Sequence, residues 1–295
     1  MKNKKLFGIL CGMLAAIAYG TNNLGAVNLY AQGMQTNSVL FYRFGLAWCI
    51  IAVVMLFRKE SVKVTLKEFL TLSALGILFI FSSLSLYLSY RLMDTGVAST
   101  ILFIYPVMTA AIMATFFKEK LRLSTAASII LSAAGVVMLW WSGSGGTATL
   151  SLWGVILVII SALSYAVYII VMDKGKLEMS SFKINFYVLA WCAIGMLCYS
   201  LIIGQPIILP QNATSWFYMG WLAIVPAILA LMLMVYAAKY VGSTTTAILG
   251  ALEPLTAVVI GIFVFGEQTS IFLGIGIVLI LGSVVIIALR PDNKQ

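Results

Sequence analysis

The chain alternates between long apolar stretches and short polar ones. Ten apolar segments stand out, at about residues 6–30, 38–57, 69–90, 96–117, 124–141, 152–172, 184–203, 216–238, 244–265 and 270–289. Each runs roughly 17–25 residues, the length a helix needs to cross a hydrocarbon layer about 30 Å thick. The loops between them are too short to hold a domain. In lipid, backbone polar groups are satisfied only within helices or closed barrels, and segments this long predict helices. The expected fold class is an all-α polytopic membrane protein with ten transmembrane helices. Composition points the same way: 62% of the 295 residues are hydrophobic and 9% are charged, too little polar surface for a chain solvated by water.

The segments repeat. Pro106 and Glu119 are 13 positions apart near the end of segment four, as are Pro254 and Glu267 at the end of segment nine. Leu6-Phe7-Gly8 matches Leu152-Trp153-Gly154 at an offset of 146, which also brings Tyr19 onto Tyr165, Tyr90 onto Tyr236 and Gly96 onto Gly242. At the prolines the offset is 148, so a two-residue indel lies between. A near-constant offset over the whole chain predicts an internal duplication, 1–147 and 148–295, forming one membrane-embedded unit. Five spans reverse the direction of the chain, so the second repeat is expected to be inverted relative to the first, a plan that secondary transporters use.

The net charge of +9 would suit nucleic acid, but its placement reads as topology. With the N-terminus inside, every basic residue except Arg43 and Arg91 falls in an inner loop or terminus; the opposite orientation would put nearly all of them outside. Both termini are therefore expected in the cytoplasm of a bacterial inner membrane, with no nucleic-acid partner. Lys2, Lys4 and Lys5 before an apolar run resemble a signal peptide, but the run is long and is the repeat partner of segment six, so cleavage is not expected. Histidine is absent, which removes imidazole bases, relays and metal ligands together. Cys11, Cys49, Cys192 and Cys198 all lie in apolar runs and are read as buried thiols. No paired carboxylates at depth, phosphate loop or metal cluster can be assembled, so the chain is not read as an enzyme and no cofactor or metal is expected. Asn212-Ala213-Thr214 matches a glycosylation sequon, a match common by chance, and Ser142–Gly146 reads as a flexible connection between the repeats.

Taken together, these features resemble the drug/metabolite transporter superfamily, in particular its EamA-type members. The resemblance spans the chain. It rests on the five-plus-five spans, the Pro-x12-Glu pattern, Leu252-Glu253-Pro254, Tyr42-Arg43-Phe44 and Tyr19-Gly20-Thr21-Asn22. The family commonly has tryptophan where this chain has Tyr19. The resemblance implies a secondary transporter of small organic metabolites, amino-acid-like or related, often an exporter; an importer or exchanger of the same solutes is the alternative, and a membrane sensor or enzyme a remote one. It implies a central cavity among segments one, three, four, six, eight and nine, with segments five and ten at the periphery. Protons are the candidate coupling ion.

Glu253 is the one acid well inside an apolar segment, where a charge costs at least about 2.5 kcal/mol. It is either a substrate-amine or proton site, or a structural carboxylate serving backbone groups freed by Pro254. Arg43 is the one base well inside a span. It either binds a substrate carboxylate, snorkels outward, or pairs with a partner such as Glu253. By the repeat, Tyr105 stands opposite Glu253 and Phe186 opposite Arg43, so both charges break the symmetry. Segment one carries Gly8, Gly12, Ala15, Tyr19, Asn22, Asn23, Ala26 and Tyr30 along one face, and segment six carries Ser161, Ser164, Tyr165 and Tyr168. Either face can line a cavity or pack tightly. Tyr90 and its repeat partner Tyr236 complete the candidate set. Pro106, Pro226 and Pro254 are expected to kink their helices at depth and so shape the cavity.

Overall fold

The computed structural model describes residues 2–117, 123–144, 151–175, 177–250 and 252–288, and every element among them is helical. Among the described residues seven helices are long and apolar enough to cross a membrane, and three shorter apolar helices, Ala126–Leu139, Leu252–Phe265 and Ile271–Ile286, occupy segments five, nine and ten. Glu119 and the basic residues Lys118, Lys120, Arg122, Lys176, Arg290 and Lys294 lie outside the described residues, as do Gly145 and Gly146.

Helices are interrupted just before Pro106 and Pro254 and at one further place, Thr21, while Pro226 lies in a π-turn. Segment one divides into α1 (Lys2–Gly20) and α2 (Asn22–Ala31). Segments two and three are α3 (Thr36–Phe57) and α4 (Leu66–Ser89). Segment four is α5 (Thr95–Leu102) and α6 (Tyr105–Phe116), with Pro106 in the first turn of α6. Segments five, six and seven are α7 (Leu123–Ser144), α8 (Leu152–Lys174) and α9 (Ser181–Ile202). Ser142–Ser144, expected in the connection, instead close α7. Segment eight begins as α10 (Ala213–Ile224) and passes through a five-residue π-turn, Val225–Leu229, that contains Pro226. It then runs on as α11 (Ala230–Leu249), and α12 (Leu252–Phe265) and α13 (Ile271–Ala288) follow. A proline costs no hydrogen bond at a helix start, because its missing N–H would be unpaired there anyway. That is why Pro106 and Pro254 each begin a half-helix.

One boundary differs from the sequence reading. Segments eight and nine were expected to part near residues 239–243, but α11 runs unbroken to Leu249. The first repeat does part at the equivalent place, with a turn between Ser89 and Thr95. There Asp94 stands at the N-cap position and Glu267 supplies acceptors for the first amides of α5. In the equivalent stretch around Tyr240–Gly242 the helix continues, and its amides are satisfied within it.

The repeats interleave. Helix α1 packs on α11 and its counterpart α8 packs on α4, while α3 packs on α9, α5 on α12, and α7 on α13. Small residues set these approaches. A Cβ on Gly76 of α4 would lie 2.4 Å from the Trp191 Cβ of α9, and one on Gly195 of α9 would lie 2.3 Å from Ile80 of α4. Gly76→Val is expected to lower stability by about 1–3 kcal/mol through overpacking. A thermal melt in detergent that matches the parent would refute that close fit.

Local chemistry closes the ends. Thr65 and Glu68 form a reciprocal capping box at the start of α4. Asn212 Oδ1 accepts from Ser215 N at 2.7 Å, so this sequon asparagine caps α10 with its side chain. Of the four cysteines, Cys11 and Cys192 are buried, while Cys49 and Cys198 are exposed on the outer surface of the bundle rather than buried as expected.

Candidate functional site

The half-helix breaks meet at the centre of the bundle. Gly20 ends α1, and a Cβ there would fall 2.6 Å from the Glu253 carbonyl and 2.5 Å from Thr256. Glycine thus lets the end of α1 touch the start of α12. Glu253 is in the first turn of α12, where the unpaired amides of a helix N-terminus favour a negative charge. No ion pair joins it to a base among the described residues.

Around this junction lies a cavity of about 200 Å³. Tyr19 and Asn22 reach it from the α1–α2 break, and Arg43 from α3. Tyr87 and Tyr90 come from the end of α4, Tyr105 from the start of α6, Tyr165 from α8, and Glu253 from α12. All six segments expected to line a cavity contribute, segment eight through Leu231 and Met234 of α11. Segment two, not expected, adds Arg43. Helices α7 and α13 pack on one another, and among the described residues neither contributes to the wall.

Arg43 is 5% exposed, so it does not snorkel outward. It does not pair with Glu253 either: among the described residues the recorded ion pair is Arg58–Glu60, at 3.9 Å near the α3 C-terminus. Instead Arg43 Nη1 donates to the Tyr87 hydroxyl at 2.5 Å, and the guanidinium lies 5.2 Å from the Tyr87 ring centroid and 5.6 Å from that of Phe44. Its Nε is buried with no partner. Tyr87 in turn reaches Asn22 Oδ1 at 3.4 Å, and Asn22 Nδ2 donates to the Tyr19 carbonyl at 2.8 Å. The cavity therefore has the Arg43 guanidinium on one wall, held by Tyr87, the acidic side chain of Glu253 on another, and tyrosine rings between. Tyr105 stands edge-on to Tyr165, with centroids 4.7 Å apart.

Four candidates lie elsewhere. Asn23 is fully buried and ties three elements together, donating to Thr95 Oγ1 at 3.0 Å and to the Ala257 carbonyl at 2.9 Å. It points one helical step away from Asn22, which is why the two part company. Tyr168 is stacked behind Tyr165, 5.7 Å away and nearly parallel, outside the cavity wall. Ser164 is half-buried and also outside that wall. Tyr236 is 43% exposed and meets Phe7 edge-on, so the repeat partner of Tyr90 turns away from the cavity.

The sequence reading passed over Tyr87, Ser82, Ser83 and Ser99, which all line the cavity. A signal was present. Ser82, Ser83, Ser85 and Ser89 crowd the end of an otherwise apolar helix, and all are buried. Hydroxyls there bind other helices or a wet cavity rather than lipid. Ser161 Oγ donates to the Ser82 carbonyl at 2.7 Å, fastening α8 to α4 beside the cavity.

A second recess, toward the end of the bundle where α4 gives way to α5, is lined by Tyr90, Arg91, Asp94, Thr95, Phe265 and Glu267 among others. Tyr90 borders both spaces. Gly266, at φ +68°, turns the chain out of α12. Glu267 then accepts from Thr95 N and Thr95 Oγ1, each at 2.6 Å, and from Gly96 N at 3.0 Å. Burial pushes this carboxyl up from its ordinary range, and the Thr95 and Gly96 donors oppose that shift.

Comparison with known proteins adds a family. The model of the EamA-like transporter family matches twice, over residues 6–141 and 152–289. An uncharacterized transporter of Archaeoglobus fulgidus is 26% identical over 274 residues, covering 92% of this chain and 94% of its own length. The uncharacterized inner membrane transporter YedA of Escherichia coli K12 is 24% identical over 195 residues, 66% of this chain and 62% of its own. A crystal structure titled only as that of a protein superposes with a TM-score of 0.68 at 19% identity, covering 95% of this chain and 96% of its own. At that identity it speaks to the fold.

Proposed function

This chain belongs to the EamA-like transporter family, and from that premise we propose that it moves a small amino-acid-like metabolite through the central cavity by alternating access, in the direction of export. Two copies of one five-helix unit, interleaved around a cavity where half-helices meet, suit a site exposed to each side in turn. The observation that carries the substrate class is the pair of charges facing one cavity without pairing to each other. Arg43 lines the cavity with a guanidinium that no carboxylate among the described residues pairs, and so suits a carboxylate. Glu253 offers an acceptor to an amine, or a carrier for a coupling proton. About 200 Å³ is below the roughly 300–1,000 Å³ of sites for drug-sized ligands, so the solute is compact. The distribution of basic residues supports a cytoplasmic position for both termini, and likeness to a named inner membrane transporter supports that membrane.

The test is counterflow in proteoliposomes with a panel of solutes that differ only in their charged ends. Solutes with both a free amine and a free carboxylate are expected to accelerate exchange, and their methyl esters and N-acetyl derivatives are not. If the esters and acetylated forms exchange as fast as the parents, the two-charge reading fails. Metabolite-wide uptake and efflux in cells with and without the protein then reads direction, and accumulation of the solute inside cells lacking it is the result expected for an exporter.

A further inference from the structure

We propose that Glu267 is a positioning residue for transport: its carboxylate latches the start of α5 and holds shut the mouth of the bundle beside Tyr90. The proposal rests on the alternating-access reading and adds which contact breaks when that mouth opens.

Helix α5 has only eight residues, and an isolated helix that short is not stable in water or on its own propensity. Its first amides need acceptors. Asp94 occupies the N-cap position but makes no side-chain capping bond there. The acceptors come from the other repeat instead. Glu267, 172 positions away, takes the Thr95 amide, the Thr95 hydroxyl and the Gly96 amide on its two oxygens. Three donors on one carboxylate make a charge-assisted clamp, stronger than neutral hydrogen bonds.

The clamp is built for close contact. A Cβ on Gly96 would lie 2.9 Å from the Val258 Cα and 3.0 Å from Glu267 Oε2. One on Gly261 would lie 2.1 Å from the same oxygen. Glycines at both positions therefore let the carboxylate sit between α5 and α12. The Glu267 amide donates back to the Gly261 carbonyl at 2.9 Å, which aims the side chain at α5.

Its position suits a gate. Glu267 and Thr95 border the recess that shares Tyr90 with the central cavity. Tyr90 lines both spaces and so stands in the wall they share, and it lies in the turn between α4 and α5. Moving the start of α5 therefore moves that wall. The second repeat holds the same stretch in another conformation, since α11 passes unbroken through Gly242, the counterpart of Gly96. Counterpart segments of two repeats in two backbone arrangements suit a pair of repeats that exchange conformations. In one arrangement the short helix is separate and clamped; in the other it is fused to its neighbour.

The experiment follows the accessibility of a single cysteine at Ser99, which lines the cavity, in an otherwise cysteine-free full-length chain. An impermeant maleimide is applied to right-side-out or to inside-out vesicles, with and without an excess of a solute found to exchange. Glu267→Ala is expected to raise the labelling rate from the Glu267 side about tenfold and to lower it from the opposite side. Glu267→Gln, which keeps the volume and one acceptor, is expected to fall between the parent and Glu267→Ala, and it serves alone if the alanine variant does not insert. Opposite changes on the two sides mark a shifted population of conformations. A rise on both sides together, or no change on the Glu267 side, overturns the latch, because a merely structural contact loosens the whole bundle or nothing. If the parent chain is labelled equally from both sides whatever the solute, the alternating-access reading falls and the latch falls with it. If the parent responds to solute and the variants match the parent, only the latch falls.

Discussion

Glu253→Gln is expected to fold and insert as the parent does and to transport about 10- to 100-fold more slowly, the range given by losing one charge-assisted contact of about 1.5–3 kcal/mol. The carboxylate stands at the N-terminus of a half-helix inside the bundle, facing the cavity. Glutamine fills the same volume and keeps an oxygen toward the α12 amides, but it neither carries a proton nor offers a charge to an amine. Stability is expected to stay close to the parent's. Removing one partner of a buried ion pair costs about 3–5 kcal/mol because the other charge is stranded, but Glu253 is joined to no base among the described residues. Flux into proteoliposomes and a thermal melt on the same preparation check both halves. Parent-level flux rejects Glu253 as a substrate or coupling group. A large loss of stability would mean that the carboxylate is structural.

Arg43→Met should separate stability from activity in the other direction. Arg43 is a nearly buried cation whose hydrogen bond goes to a neutral phenol. A charge held in that way pays for desolvation with little return, and a hydrophobic residue of similar length is expected to raise stability by about 1–3 kcal/mol. The Tyr87 hydroxyl keeps Asn22 Oδ1 within reach at 3.4 Å, which limits the loss on its side. Transport of a carboxylate-bearing solute should fall at least about tenfold, because the guanidinium that lines the cavity is gone. Arg43→Lys keeps the charge without the planar fork and is expected to lie between the two. A melting temperature below the parent's, together with normal flux, would make Arg43 a packing residue and leave the cavity with one functional charge.

The repeat, the ten apolar spans and the interruptions next to Pro106 and Pro254 could be read from the sequence because each depends on local chemistry. Segment length against bilayer thickness decides the spans, and the missing proline N–H decides the breaks. The break at Gly20–Thr21 escaped notice because Gly20 is needed for contact with α12 from the far repeat, and no window along the chain displays a contact of that range. The continuity of α11 escaped for a related reason. Whether a turn forms there depends on which acceptors arrive from elsewhere, and in the first repeat the acceptor is Glu267.

For the site, the sequence by itself determined which side chains could not face lipid. Glu253 and Arg43 stood out because a charge in hydrocarbon is costly. The polar face of segment one and the tyrosines of the repeats stood out by their helical spacing. It could not say where each would point. Asn22 and Asn23 are neighbours in sequence, yet one faces the cavity and the other knits α2 to α5 and α12. Tyr90 lines the cavity while its repeat partner Tyr236 faces outward. Only the tertiary structure decided that Arg43 is held by Tyr87 and not by Glu253, and that Glu267 serves a helix of the other repeat. The physical reason is the same throughout. The cost of burying a polar group is a property of the residue and its segment, whereas the partner that offsets the cost is supplied by whichever helix packs against it.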